Sequence, residues 1–166
     1  MARTLPGLAK TFIGFGAAVA SIWLLLWLWG DQHYRRALPE DVPVLGMVSA
    51  TNGFRCGGGG AIFAMTPGAG ARIRRDGVAA LGKPGVGRGY RFHARKAVYY
   101  DWSPWKPTPV GFSSDGVWPG LACLESPLQT QIIAALEQPG AWVSGSRTGQ
   151  LTVIPDLNIV VFTFFD

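Results

Sequence analysis

Side chains that carry chemistry are scarce in this chain. Two histidines occur in 166 residues, His33 and His93, too few for a multi-histidine metal site and leaving few general bases. The two cysteines, Cys56 and Cys123, stand far apart, so Cys-x-x-Cys and haem-attachment motifs are absent, and no Gly-x-Ser-x-Gly occurs. Charged residues make up only 15% of the chain, and Thr11 to Gly30 contains none of either sign. There is no internal repeat and no low-complexity tract. Cys56, His93 and Asp101 can be drawn as a thiol triad, but nothing around Cys56 marks it as a nucleophile. No catalytic residues, metal ligands or cofactor-binding residues are expected, and the protein reads as non-enzymatic.

What is present begins with that uncharged stretch, TFIGFGAAVASIWLLLWLWG. A helix of its length reaches about 30 Å, the thickness of a bilayer's hydrocarbon core. The residues predict a short tail (1–10), a transmembrane helix (11–30), a juxtamembrane linker (31–43) and one folded domain (44–166). A cleaved signal peptide is the competing reading, with Ala18-Val19-Ala20 resembling a peptidase site. Cleavage there would leave a new N-terminus of Ser-Ile-Trp-Leu-Leu-Leu-Trp, which favours retention. Flanking charge is nearly balanced, Arg3 and Lys10 against Arg35 and Arg36. The short tail and signal-anchor logic place the N-terminus inside and the domain outside, as a periplasmic domain held in the inner membrane of a bacterial envelope.

One face of the span is built from small residues, Gly14, Ala17, Ala18 and Ser21, which would let another helix approach closely. A partner that is itself an integral membrane protein fits that face, besides the lipid bilayer. Trp27 and Trp29 suit the interfacial aromatic belt. In an exported domain Cys56 and Cys123 read as one disulfide closing a loop of about 67 residues, worth roughly 3–4 kcal/mol. Two unrelated buried thiols are the alternative.

The fold class is α+β, with an antiparallel sheet of about five or six strands and two helices packed on one face. Strands are expected at 44–48, 61–65, 90–100, 141–146, 150–154 and 159–165, with short turns joining the last three as hairpins. Ile159 to Phe165 is apolar on both faces, so it belongs in the middle of the sheet, covered on two sides. Thr66-Pro67 opens a helix running to Leu81, and Ser126-Pro127-Leu128-Gln129 opens the second with a capping box. The plan of an apolar helix before a small α+β domain with one disulfide is similar to that of type IV pilins. Their apolar helix carries a Glu, however, and no acid lies between Thr11 and Gly30, so membership is not adopted.

Two surfaces of the domain offer themselves to partners. Arg72 and Arg75 on the first helix, with Arg91 and Arg95 on the wet face of the strand at 90–100, form a basic surface if those elements are neighbours. Residues 72–106 carry a balance of +7 and 107–166 one of −4, so the domain is dipolar unless the fold mixes them. The Pro-rich loop 101–120 carries Trp102, Trp105 and Trp118, which either form a recognition surface for glycan or peptide or fold back as a lid on the core. The run Gly57 to Gly60 lacks the helix and Lys-Ser/Thr that a phosphate loop needs. Nucleic acid and small-molecule ligands are not expected. The function expected is that of an accessory or assembly subunit of a membrane complex, with an envelope glycan- or peptide-binding module as the alternative.

Overall fold

The computed structural model describes residues 7–51, 57–88, 101–109, 120–121 and 127–165. The chain divides into two compact units, Met1–His33 and Tyr34–Asp166. The first is helical: α1 spans Gly7–Arg35, and residues 12–29 are exposed along it. Gly30 was the expected end, but a single glycine costs a helix only about 1 kcal/mol, and Asp31 to Arg35 continue it for more than a turn. Within this unit Trp29 stacks on His33 one turn later, 5.3 Å between centroids.

The second unit is a six-stranded antiparallel sheet: β1 (Val44–Thr51), β2 (Gly58–Met65), β3 (Lys106–Pro107), β4 (Trp142–Gly145), β5 (Gly149–Ile154) and β6 (Ile159–Phe165). Its order is β1-β2-β6-β5-β4-β3, which puts the two-faced apolar strand β6 inside the sheet as its sequence predicts. The hairpins joining β4, β5 and β6 are also as expected. Alternation along β6 divides the interior in two. Val160 and Phe162 join one core with Phe63, Met65, Leu151 and Val153, while Ile159 and Val161 join the other with Ile62, Val143 and Ile154.

Each core has its own helix, which corrects the expectation that both helices share a face. The helix α2 (Ala69–Asp76), continued by a 3₁₀ turn at Gly77–Leu81, sends Ala69, Ile73 and Leu81 into the first core. The helix α3 (Gln129–Glu137) sends Ile132 and Leu136 into the second. A central strand that is apolar on both sides requires cover on both, and two helices on one face would leave the other wet.

Three element boundaries differ from expectation for local reasons. α2 starts at Ala69 because Gly68 adopts the left-handed conformation, φ 76°, which breaks the turn Thr66-Pro67 would have begun. α3 starts at Gln129, and the Gln129 amide donates to Leu121 O at 2.9 Å; Ser126 of the expected capping box lies outside the described residues. β2 begins inside the glycine run: Gly58, Gly59 and Gly60 are buried and pair with Phe165, Phe164 and Thr163. The strand expected at 90–100 lies outside the described residues.

Residues 37–42 are not a linker in the sense their composition suggests. Ala37, Leu38, Pro39 and Val42 are buried, with Leu38 fully enclosed. What holds them comes from Arg88. Its backbone N–H donates to Leu38 O at 2.9 Å, and its guanidinium donates to Pro39 O at 3.0 Å, Glu40 O at 3.1 Å and Val42 O at 2.6 Å. Burial, and next the charge of Arg35, lower the Arg88 pKa, but a guanidinium stays charged. Gly87 is needed beside it, since a Cβ there would stand 2.7 Å from both Arg36 O and Ala37 O. Arg88→Lys keeps the charge but cannot reach three carbonyls with one nitrogen. We expect it to lose about 1–3 kcal/mol in chemical denaturation of the full-length protein in detergent. An unchanged midpoint and slope would show that the fork is not needed.

Candidate functional site

The residues with most to offer a partner lie on α1. A run of 24 residues, Phe12–Arg35, is long and apolar enough to cross a membrane by length and composition. Gly14, Ala17, Ala18 and Ser21 recur at three- and four-residue spacing, so they share one side of the helix. A Cβ built at Gly14 or Gly16 meets nothing within 4 Å. The Ser21 hydroxyl donates back to Ala17 O at 2.8 Å, which satisfies its polar atom inside its own helix. The face is therefore smooth, shallow and already quiet in hydrogen bonding, the surface that close helix packing in lipid calls for.

The basic surface is weaker than its residue count suggests. Arg72, Arg74 and Arg75 are exposed on α2. Arg75, however, forms a fork with Asp76, Nε and Nη2 lying 2.7 and 2.8 Å from the two carboxylate oxygens. That bond, with the charges of Arg75 and Arg72 beyond it, holds the Asp76 carboxyl below its ordinary pKa. Arg74 donates to Pro155 O at 2.7 Å and lies 3.4 Å from Asp156. Asp156 comes from the acidic part of the sequence, so at this point the fold mixes the two charge blocks and weakens the dipole. Arg91 and Arg95 lie outside the described residues.

The start of the Trp-rich loop folds back over the core. Ser103 N donates to Gly145 O and Thr108 N to Ala141 O, so residues 101–109 run along β4. Gly145 N donates to the Ser103 hydroxyl, and the Thr108 hydroxyl is tied to Ala141 and to Gln138 O. Held in this way, the segment buries Trp102 to 4% and Trp105 to 8% exposure in the first core. Trp102 Nε1 donates to Ala37 O at 2.8 Å, and its ring meets Phe162 edge-on at 6.0 Å. Trp105 Nε1 is buried without a hydrogen-bond partner. These two rings act as the lid of the two alternatives, and neither is offered to a ligand. Trp118 lies outside the described residues, as do Cys56 and Cys123.

One spacing escaped the sequence reading. Ser103 and Lys106 stand as Ser-x-x-Lys, a pattern that on a helix would bring hydroxyl and amine together. Here the segment is extended, Lys106 is exposed in β3, and the hydroxyl already accepts from Gly145 N at 3.1 Å. The pair is not assembled as a nucleophile and its base. Among the described residues no three His, Cys, Asp or Glu side chains gather as metal ligands. Compared with known proteins, the chain matches no protein-family model, no curated protein and no solved structure.

Proposed function

We propose that this protein is a non-enzymatic, single-pass accessory subunit of a larger membrane complex, with its N-terminus inside, its α+β domain outside the cytoplasm, and its helix packed on an integral membrane partner. The observation that carries this reading is the helix itself. Its apolar surface from Phe12 to Trp29 is uncovered within the chain, and it includes a side made of Gly14, Ala17, Ala18 and Ser21. An uncovered apolar helix of this length needs lipid, and its small-residue side gains most from another helix. Burial of Trp102 and Trp105 removes two of the three rings a glycan- or peptide-binding loop would have used.

The test is purification of the tagged full-length protein from its native membrane in mild detergent, beside the triple variant Gly14→Leu, Ala18→Leu, Ser21→Ile. Partners at fixed stoichiometry with the unaltered protein, lost at least tenfold with the variant, are the expected result. A protein that runs alone in both preparations would overturn the reading and return attention to Trp118 and a soluble ligand.

An extracytoplasmic domain also brings the Cys56–Cys123 disulfide into the proposal. The described chain on either side supports it: a Cβ at Gly120 would lie 2.9 Å from Gly59 O, so positions three residues from each cysteine are in contact. Alkylation of the denatured, unreduced protein should label neither cysteine, and reduction should release both. Two labels without reduction would remove the disulfide and argue for a domain facing the cytoplasm.

A further inference from the structure

Among the described residues β1 forms one edge of the sheet, and it carries an irregularity that the core does not explain. Its ladder with β2 pairs Val44 with Met65 and Gly46 with Ala64, then Met47 with Phe63 and Ser49 with Ile62. One residue is skipped at each step, so Leu45 and Val48 are the extra residues of two bulges. Both follow a residue buried in the first core, Val44 and Met47, and both precede one paired on the opposite face. They therefore hold equivalent places on the strand. Each is strongly exposed, Leu45 to 63% and Val48 to 54%, in an eight-residue strand without a single charge.

Edge strands in water are ordinarily guarded by charge, proline or bulges. Here the bulges are present but display leucine and valine, side chains that gain nothing from water. Addition of a strand from a second copy is disfavoured on two counts. The bulged ladder gives no continuous register, and two of its carbonyls are already engaged, Leu45 O by Arg35 at 2.8 Å and Thr51 O by the Tyr34 hydroxyl at 3.1 Å. Those two bonds also point to the occupant. Tyr34 and Arg35 are the last residues of α1. If the span leaves the hydrocarbon near Gly30, Arg35 stands about 8 Å beyond it, at the depth of the headgroup layer. Leu45 O and Thr51 O of β1 thus each accept from one of these two residues, and the exposed Arg36 follows them as a further cation.

We propose that the bulged edge of β1 is a lipid-contact surface, with Leu45 and Val48 reaching into the interfacial layer of the bilayer and Arg36 meeting anionic phospholipid headgroups. The proposal rests on the reading that α1 spans the membrane. Val48→p-benzoyl-phenylalanine and, separately, Leu45→p-benzoyl-phenylalanine in the full-length protein test it in native membranes. Val78→p-benzoyl-phenylalanine on the 3₁₀ turn, at a position 42% exposed, is the control. Irradiation should add the mass of a phospholipid at positions 45 and 48, at least fivefold more than at 78. Crosslinks to a second copy or to another protein, or equal lipid labelling at all three positions, would overturn it. Alkaline carbonate extraction of the same membranes separates the two failures. Protein retained in the pellet but unlabelled by lipid rejects the contact alone, whereas protein released by carbonate rejects the span and the contact together.

Discussion

Trp102→Ala is expected to lower the stability of the domain by about 3–5 kcal/mol, the range for truncating a large buried ring. Three losses combine at this position. The ring leaves a void against Phe162, which it meets edge-on, in a site only 4% exposed. The Ala37 carbonyl loses the indole N–H that satisfies it. The buried stretch from Ala37 to Val42 loses a fastening that Arg88 only partly duplicates. Trp102→Phe isolates the second of these, keeping most of the ring and removing the donor, and should cost about 1–2 kcal/mol. Trp105→Phe should cost less than that, because Trp105 Nε1 is buried with no acceptor and its removal relieves a desolvated donor. Denaturant midpoints of the detergent-solubilised full-length proteins give the comparison. Equal losses for the two phenylalanine variants would mean that the bond to Ala37 contributes nothing.

The same residues mark where sequence reading works and where it stops. Patterns that depend on near neighbours were legible. Ile159 to Phe165, apolar at successive positions, is a strand covered on both faces, and the short turns before it make the expected hairpins. Leu136 follows Ile132 by four residues, and both face a core from one helix. Features set by distant partners were not legible. Residues 37–42 carry prolines and charges like a linker, and only the arrival of Arg88 and Trp102 makes them interior. The two helices take opposite faces because β6 needs both covered, a demand written in a strand and met by segments far from it. Of the candidate surfaces, the long apolar helix is a local property and could be read directly. The basic patch could not, since Asp156 reaches Arg74 across 82 positions.

Glycine in a strand interior ordinarily weakens it, which makes Gly60→Ala a sharp test of how β2 and β6 meet. Replacing glycine by alanine on an unstrained strand backbone should gain about 0.5–1 kcal/mol from the unfolded chain. At Gly60 the new Cβ would overlap the Phe162 carbonyl oxygen and stand 3.2 Å from Thr163 Cα. Both are backbone atoms of β6, so no side chain can rotate away, and relief requires prising β2 from β6 along a ladder of seven pairs. The collision should outweigh the entropic gain and leave a net loss of about 2–3 kcal/mol. Gly46→Ala supplies the contrast on the same sheet, where a Cβ meets nothing within 4 Å; it should keep the gain of about 0.5–1 kcal/mol. Gly120→Ala should behave like Gly60, because its Cβ would lie 2.6 Å from Thr163 Cβ and 2.9 Å from Gly59 O. If Gly60→Ala instead proved neutral, β2 and β6 would have room to spread at this pair, and the glycine would not be what sets their separation.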